Sequence, residues 1–317
     1  MKEISFTKQI KDELCSNEVD GNEARSIIAA FARLNGNISF SNKKTKLTLK
    51  TENANIAKYI YKLIKQEFKD VEISFSFLRV MKLYKSTQYL VNVLEGADDI
   101  LEGLKIDFLD SKIDYELQNK EDKIRGYLVG LFLASGSCNN PNTSIYHLEV
   151  SVKDEKYAES IVKLINKTKL FQFKITTRRS QYVVYLKRSD KISDFLNYIN
   201  ANSSCLDFEN IRIDRDFANS NNRLMNCDSY NYKKTLEISA KQIEYINVIE
   251  KYLGVDNLQN EQMKLLCKAR LQNPEANYNE LAEIISEELE QAVSKSNINH
   301  LFIRIKKMAE EFNARHN

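Results

Sequence analysis

Apolar and small residues recur in two segments one hundred positions apart. Residues 25–36 read RSIIAAFARLNG and residues 125–136 read RGYLVGLFLASG. In both, small residues stand mid-segment at Ala30 and Gly130, and a glycine closes the pattern. This predicts two equivalent helices that pack together at Ala30 and Gly130, where small side chains permit close approach. We expect each closing glycine to cap its helix in the left-handed conformation.

The segments after the two helices repeat as well. Alternating apolar and polar residues indicate strands, and an amphipathic stretch separates the strand pairs. The predicted elements are a hairpin within 37–51, helices near 53–69, 154–168 and 190–200 with a short helix after 94, and strands near 71–80, 88–94, 146–152, 171–178 and 182–188. With repeats over about 20–104 and 120–202, they predict an α+β domain spanning 1–222. Its tandem αββαββ units would be related by a pseudo-twofold axis, with two curved sheets on a common face.

Past about residue 225 the pattern changes from strands to helices. The predicted helices are 233–253, 261–273, 278–289 and 294–312. Pro274 disfavours helix in the residue before it, and Ser294 can cap the free N–H groups of the last helix. The lengths and order of the last three helices predict an all-α helix-turn-helix domain over residues 223–317.

The last helix would then be the recognition helix, whose N-terminal residues reach base edges in the major groove. Asn pairs with adenine, Ser bonds phosphate or base, and Lys contacts phosphate or guanine. The candidate DNA contacts are Lys295, Ser296, Asn297, Asn299, His300, Arg304, Lys306 and Lys307. The residues expected to face the domain core are Ile298, Leu301, Ile305 and Met308. A helical bundle that docks on protein fits the same pattern.

Charge adds a second candidate surface. The net charge of +3 says little by itself, but cations cluster between Phe171 and Lys191, opposed only by Asp190. The candidate secondary DNA contacts in this cluster are Lys174, Arg178, Arg179, Lys187 and Arg188. Clustered cations on a sheet surface attract phosphate. A hairpin kept in solution by its charge is the alternative interpretation.

Composition excludes several classes of protein. The 317 residues are 43% hydrophobic and 29% charged, as in ordinary folded proteins. No apolar run approaches the roughly 18 residues of a membrane helix, and the N-terminus lacks a signal-peptide core. We therefore expect a cytoplasmic protein. The cysteines, which form no C-x-x-C pair and are expected to be small buried residues, are Cys15, Cys138, Cys205, Cys227 and Cys267.

The segment 128–136, LVGLFLASG, resembles the LAGLIDADG motif of homing endonucleases. In that family, the acid before the final glycine of each copy binds the divalent metal that drives phosphodiester cleavage. Here the two positions are Asn35 and Ser135, which carry no negative charge. The resemblance thus implies a nuclease scaffold without a metal site or catalytic residues. His147 and Glu149 would share a strand face, and we interpret them as a polar pair because two ligands seldom make a site.

Four phrases in order extend the resemblance to nearly the whole chain: RGYLVGLFLASGS, YHLEV, FENIRIDRDFANSNNRLMNCDSYN and SKSNINHLFIRIKKMAEE. Together they resemble the WhiA family of sporulation and cell-division regulators. The resemblance implies a degenerate homing-endonuclease domain joined to a DNA-binding helix-turn-helix domain. The chain departs from the family pattern where residues 301–303 interrupt the basic run, and where Glu287, Glu288 and Glu290 make the preceding turn acidic. Both departures predict weaker phosphate binding.

The leading hypothesis is a non-enzymatic, sequence-specific DNA-binding regulator of cell division or sporulation-type genes, associated with the nucleoid. The alternatives are a protein-interaction scaffold of the division or chromosome machinery, and a residual Mg²⁺-dependent endonuclease. Double-stranded DNA is the expected partner, with another regulatory protein on the N-terminal domain as a further one, and neither a cofactor nor a membrane is expected. The segment 208–230 is interpreted as an inter-domain linker hydrogen-bonded to both sides, or as a hinge.

Overall fold

The computed structural model describes residues 4–41, 44–81, 85–108 and 110–316. The chain forms two compact units, Met1–Arg215 and Asp216–Asn317. The helices of the first unit are α1 (Phe6–Leu14), α2 (Gly21–Asn35), α3 (Ala54–Glu67), α4 (Ala97–Gly103), α5 (Glu121–Ser135), α6 (Glu155–Asn166) and α7 (Ser189–Tyr198). Its strands are β1 (Gly36–Ser41), β2 (Lys44–Thr51), β3 (Glu72–Met81), β4 (Lys85–Glu95), β5 (Gly136–Cys138), β6 (Leu148–Val152), β7 (Lys174–Arg178) and β8 (Gln181–Leu186).

The predicted internal repeat is confirmed by the sheet topology. The first sheet has the order β1-β2-β4-β3 and the second has the equivalent order β5-β6-β8-β7. All the pairs are antiparallel, and Gly36 and Gly136 occupy matching places, opposite Leu49 and Val150. The sequence pattern predicted neither α1 nor β5. A strand of three residues is too short to show an alternating pattern.

The two repeated helices, α2 and α5, pack together as predicted. A β-carbon added at Gly126 would lie 2.5 Å from the carbonyl oxygen of Glu23, so the backbones touch. The Arg125 guanidinium donates two hydrogen bonds, of 2.9 and 2.8 Å, to the Glu23 carboxylate. Small residues and this bidentate pair therefore hold the pseudo-twofold centre of the unit together.

The glycines that close α2 and α5 do not adopt the predicted left-handed cap. Gly36 has φ −84° and Gly136 has φ −70°, because each enters a strand directly. Glycine stands at both positions because a side chain would not fit. An added β-carbon would lie 2.3 Å from the carbonyl oxygen of Ala32 at Gly36, and 2.4 Å from the Phe132 ring at Gly136.

The second unit is helical and begins within a long helix. Its helices are α8 (Asn202–Tyr252), α9 (Glu261–Gln272), α10 (Tyr278–Leu289) and α11 (Lys295–His316). The last three agree with the predicted helices to within a few residues, and the predicted helix 233–253 is the end of α8. The core contains Ile246 and Ile249 of α8, Leu266 of α9, Leu281 of α10 and Ile305 of α11.

The segment 208–230 lies inside α8, which spans the boundary between the two units at Arg215 and Asp216. Arg215 Nη1 donates to the carbonyl oxygens of Pro141 and Thr143 at 2.8 and 2.6 Å. The connector is therefore helical, and its roles as a linker or as a hinge stay predictions.

No proline or glycine occurs between 202 and 252, so the backbone N–H and C=O groups can hydrogen-bond to each other along the whole helix. The start of α8 is capped by Glu13 of α1, a residue distant in the sequence. Its carboxylate accepts hydrogen bonds from Ser203 N at 2.6 Å and from Ser204 N at 2.8 Å.

The cysteines are free thiols with unequal burial. Cys138 and Cys267 are buried, as expected, and burial raises the pKa of each thiol to about 12. Cys227 is exposed, contrary to the expectation of a buried residue, because it lies on the solvent-facing middle of α8. No helix within the described ranges is both long enough and apolar enough to span a membrane.

Candidate nucleic-acid interface

Side-chain caps fix the turn between α10 and α11. Asn277 opens α10 with a capping box that it shares with Glu280. The predicted cap at Ser294 is confirmed, since its Oγ accepts from Asn297 N at 3.2 Å. Between the helices, Ser286 Oγ accepts from Val293 N at 2.9 Å, and Glu290 holds the left-handed conformation at φ 52°. The direction of α11 relative to α10 is therefore fixed by polar contacts.

One side of α11 belongs to the core of the second unit. Ile298, Leu301 and Ile305 are buried as predicted, and Met308 is half-buried against the same core. Phe302 is also buried, at 6% exposure, and its ring stacks on Tyr278 with centroids 5.7 Å apart. The buried side chains therefore lie along one half of the helix circumference, at about 100° per residue.

The other half of α11 carries most of the candidate DNA contacts. The exposed candidates are Lys295, Ser296, Asn299, His300, Arg304, Lys306 and Lys307. Asn297 differs from them, because it is half-buried and donates through Nδ2 to Gln262 Oε1 at 3.3 Å. The structure thus brings seven of the eight residues onto one solvent-facing side, and directs Asn297 towards α9.

The apolar residues that interrupt the basic run occupy fewer positions on the surface of α11 than they do in the sequence. Of the three apolar residues at 301–303, Leu301 and Phe302 are core residues, so they take no place on the solvent-facing side. Only Ile303 is exposed, at 56%, near the middle of the solvent-facing side. Glu287, Glu288 and Glu290 are all exposed, so the acidic turn stays a neighbour of this surface.

A buried arginine of α9 contacts both the α9–α10 loop and α11. Arg270 of α9 is 1% exposed, and its Nη1 donates to the carbonyl oxygens of Asn273, Pro274 and Ala276 at 3.2, 3.3 and 2.7 Å. Its guanidinium lies 5.6 Å from the centroid of the Phe302 ring, and burial lowers its pKa. Arg270 therefore ties the loop between α9 and α10 to the core side of α11. Sequence analysis did not single it out, because burial of an arginine is decided by tertiary packing.

In the first unit, the positions of the LAGLIDADG acids hold neutral side chains. Asn35 closes α2 and donates through Nδ2 to the carbonyl oxygen of Ala134 at 3.5 Å, and Ser135 closes α5. A cavity of about 450 Å³ beside Asn35 is lined by Lys11, Lys50 and Glu52, among others. Burial lowers the pKa of Lys11 to about 8. Across the described part of the chain, no group of three or more His, Cys, Asp and Glu side chains could hold a metal ion.

His147 and Glu149 form the polar pair predicted from sequence. His147 Nε2 and Glu149 Oε2 are 2.8 Å apart, and the His147 ring stacks on Tyr185 with centroids 5.5 Å apart. Arg178 Nη1 approaches Glu149 Oε2 at 3.5 Å. These contacts account for both residues without a metal ion.

The five candidate secondary contacts divide into two groups. Arg178 ends β7 and Arg179 stands in the turn before β8, at φ 48°, with both side chains exposed. Lys174, Lys187 and Arg188 are also exposed, and they line a cavity that is open to solvent. Arg188 is partly neutralised, because Nε and Nη2 donate to the Asp190 carboxylate at 3.1 and 2.6 Å.

Sequence analysis overlooked a polar sheet face in the first repeat. Leu47 and Leu49 of β2 are buried, whereas the alternate residues, including Thr48 and Lys50, face the other way. Thr48 Oγ1 donates to Asn92 Oδ1 at 3.1 Å, and Asn92 Nδ2 donates to Ser76 Oγ at 3.0 Å. The alternation in KLTLKT was the signal available for this face.

Two LAGLIDADG-like repeats that lack the acidic pair, followed by a helix-turn-helix domain, define the class of protein. Family models match in the same order: the WhiA N-terminal LAGLIDADG-like domain at residues 22–107, the WhiA LAGLIDADG-like domain at 124–218 and the WhiA C-terminal helix-turn-helix domain at 221–309. The chain belongs to the WhiA family.

Similarity to known proteins covers nearly the whole chain. The probable cell division protein WhiA of Lactobacillus acidophilus is 41% identical over 310 residues, which cover 96% of this chain and 98% of that protein. The protein of the same name from Bacillus licheniformis is 39% identical over 312 residues, 97% of each chain. The crystal structure of full-length WhiA from Thermatoga maritima matches with a TM-score of 0.59 at 21% identity, over 98% of this chain and 99% of that one, which shows a shared fold.

Proposed function

We propose that this protein is a sequence-specific DNA-binding regulator without nuclease activity, and that α11 reads the DNA. The observation that carries the proposal is the single solvent-facing side of α11, which presents Lys295, Arg304 and Lys306 around Asn299 and His300. Cations on this side would bind phosphates and the polar side chains would contact base edges. Double-stranded DNA is therefore the proposed partner, and the nucleoid the proposed location.

The neutral centre of the LAGLIDADG-like unit supports the absence of nuclease activity. Metal-assisted cleavage needs carboxylates that hold a divalent ion against the scissile phosphate. Asn35 and Ser135 offer none. The cavity beside Asn35 is lined by a single carboxylate, that of Glu52, together with the cations Lys11 and Lys50, which would oppose metal binding. The relatives are named probable cell division proteins, so we propose that this regulator controls genes of cell division. Sporulation-type genes are further proposed targets.

Arg178 and Arg179 are proposed as a secondary duplex contact. They stand at the exposed end of the β7–β8 hairpin, where a convex duplex can approach without entering a cavity. Their contribution would be to non-specific affinity, because phosphate contacts carry no base information.

The proposal is tested with the full chain and duplexes selected from a random library, by fluorescence anisotropy over a salt series. We expect Arg304→Ala to weaken binding and to reduce the dependence of log affinity on log salt by about one unit. Asn299→Ala should weaken the selected duplexes more than random ones. Lys241→Ala, which removes an exposed cation from α8 of the same unit, is the matched control and should change little.

Two outcomes would reject the proposal. Binding that is insensitive to Lys295→Ala and Arg304→Ala would remove α11 as the reading helix. Failure of every duplex to bind at low salt would favour a docking role, for which the exposed Ile303 offers an apolar contact. Incubation of supercoiled plasmid with the protein and Mg²⁺ checks the second half of the proposal, since any protein-dependent nicking contradicts it.

A further inference from the structure

A cationic cavity lies in the first unit, between β8, the start of α7 and the segment that precedes β7. Its volume is about 600 Å³, within the range of about 300–1,000 Å³ that small-molecule sites occupy. The cationic side chains that line it are Lys169, Lys174, Lys187, Arg188 and Lys191. They come from two stretches of sequence, 169–174 and 187–191, and the pairing of β7 with β8 brings the two stretches together.

Most of this charge is not balanced. Asp190 holds Arg188, and Asp194 Oδ2 lies 2.7 Å from Lys191 Nζ. For Lys169, Lys174 and Lys187, no carboxylate of the described residues lies within 4.0 Å of the ammonium group. Like charges around one cavity repel each other, and a multivalent anion that enters would remove the repulsion.

A neighbouring ring orients one of these lysines. Lys169 itself follows the end of α6 with φ 57°, a left-handed conformation that is common after a helix. Lys187 Nζ lies 5.2 Å from the centroid of the Tyr185 ring, whose neighbour His147 is stacked 5.5 Å away. The cation–π contact orients Lys187 at the cavity.

The shape of the site favours a small molecule over a duplex. A duplex presents its phosphates on a convex surface, which suits Arg178 and Arg179 at the tip of the hairpin better than a concave site. The cavity cations differ from these two residues in the concave shape around them and not in exposure. The lining also includes Leu170, which is 47% exposed, and Phe171, which is a core residue at 2% exposure, so Leu170 supplies the accessible apolar surface. An apolar wall beside unbalanced ammonium groups suits a ligand with a chain of phosphates and an organic ring system.

We propose that this cavity binds a nucleoside di- or triphosphate, with its phosphates on Lys169, Lys174 and Lys187 and its organic part against Leu170. The site gives the LAGLIDADG-like unit a ligand-binding role of its own. The inference is independent of DNA reading by α11, because its residues belong to the first unit.

The test is isothermal titration calorimetry of the full chain with ATP, GTP, inorganic tripolyphosphate and adenosine. The cavity variant is Lys174→Ala/Lys187→Ala, and the matched control is Arg178→Ala/Arg179→Ala, which removes two cations from the same hairpin outside the cavity. We expect ATP or GTP to bind more tightly than tripolyphosphate, with adenosine inactive. The cavity variant should lose roughly tenfold or more in affinity, about 1.4 kcal/mol, while the control should stay within about twofold.

Each contrary result overturns the proposal. Absence of binding by both nucleotides rejects the site, and equal losses in the two double variants show a diffuse charge effect. Equal affinity for tripolyphosphate and ATP rejects the nucleoside part. If the cavity variant loses affinity for random duplex and neither nucleotide binds, the lysines contact DNA. Arg304→Ala should leave nucleotide binding unchanged, so failure of this inference is distinguishable from failure of DNA reading.

Discussion

Gly130 of α5 lies so close to Ala30 of α2 that a β-carbon added to it would stand 2.8 Å from the Ala30 β-carbon. The same added atom would lie 2.4 Å from the carbonyl oxygen of Ile27. Backbone cannot move aside as the end of a flexible side chain can, so the two helices would have to separate. The spacing between the repeats therefore depends on the absence of a single methyl group.

Gly130→Ala is expected to destabilise the first unit by about 1–3 kcal/mol or more, because overpacking at a backbone contact forces the helices apart. The measurement is the urea midpoint followed by circular dichroism. Gly103→Ala is the control, since its added carbon meets only the Phe68 ring, at 3.3 Å. Equal midpoints for the two variants would show that the α2–α5 contact tolerates a side chain.

Arg270→Met is expected to loosen the α9–α10 loop, because three carbonyl oxygens lose their donor. A cost of about 1–3 kcal/mol corresponds to buried acceptors left unpaired. Hydrogen exchange of α9 and α10 should accelerate. Lys268→Met removes an exposed cation from the same helix, and should change exchange little. Unchanged protection in Arg270→Met would mean that the loop is held by other contacts.

Ile303→Lys is expected to tighten DNA binding, because it places a cation in the middle of the solvent-facing side of α11. One additional phosphate contact would steepen the dependence of log affinity on log salt by about 0.9. The comparison is with Leu271→Lys, which adds the same charge at a position 42% exposed on α9. If both variants steepen the salt dependence equally, net charge and not the position on α11 is responsible.

Glu290→Asn is expected to raise both stability and DNA affinity. Asparagine tolerates the left-handed conformation that Glu290 adopts at φ 52°, so strain of up to about 1 kcal/mol is relieved. Removal of a negative charge beside α11 should favour DNA. Glu288→Gln separates the two effects, because it removes a charge inside helical backbone. A stability gain as large in Glu288→Gln would contradict the role of strain.

The stability of the first unit should rise as pH increases from 7 towards 9, through Lys11. Burial lowers the pKa of Lys11 to about 8, below its ordinary value of 10.5. Between these values the unfolded chain binds more protons than the folded chain, so the free energy of unfolding increases with pH. Above pH 9 the stabilisation that comes from Lys11 is opposed by Cys15. Burial raises the pKa of the Cys15 thiol to about 12, so the unfolded chain loses this proton at a lower pH than the folded chain does.

Lys11→Met isolates this effect. The variant should be more stable than the wild type at pH 7, and the difference should shrink by pH 9, as measured by urea unfolding at each pH. Lys8→Met, on the same helix, should show no such convergence. A difference that stays constant with pH would mean that Lys11 is charged in the folded protein throughout this range.

Sequence alone determined the features that arise from local repetition. The helix–strand order, the equivalence of the two repeats and the small residues Ala30 and Gly130 follow from periodicity and side-chain size, which are written along the chain. The neutral residues at Asn35 and Ser135 were equally visible. The boundaries of α9, α10 and α11 followed from helical spacing, a proline and caps, which act over a few residues.

Tertiary structure decided everything that depends on neighbours distant in the chain. The same apolar residue type is core at Leu301 and surface at Ile303, because one faces the packed side of α11 and the other faces solvent. Arg270 is buried against the Phe302 ring of α11, whose centroid lies 5.6 Å from the guanidinium. Five clustered cations looked alike in sequence, and all five are exposed. The sheet and α7 nevertheless place three of them around a cavity and leave Arg178 and Arg179 at the turn, since a concave surface exists only once separate segments pack together.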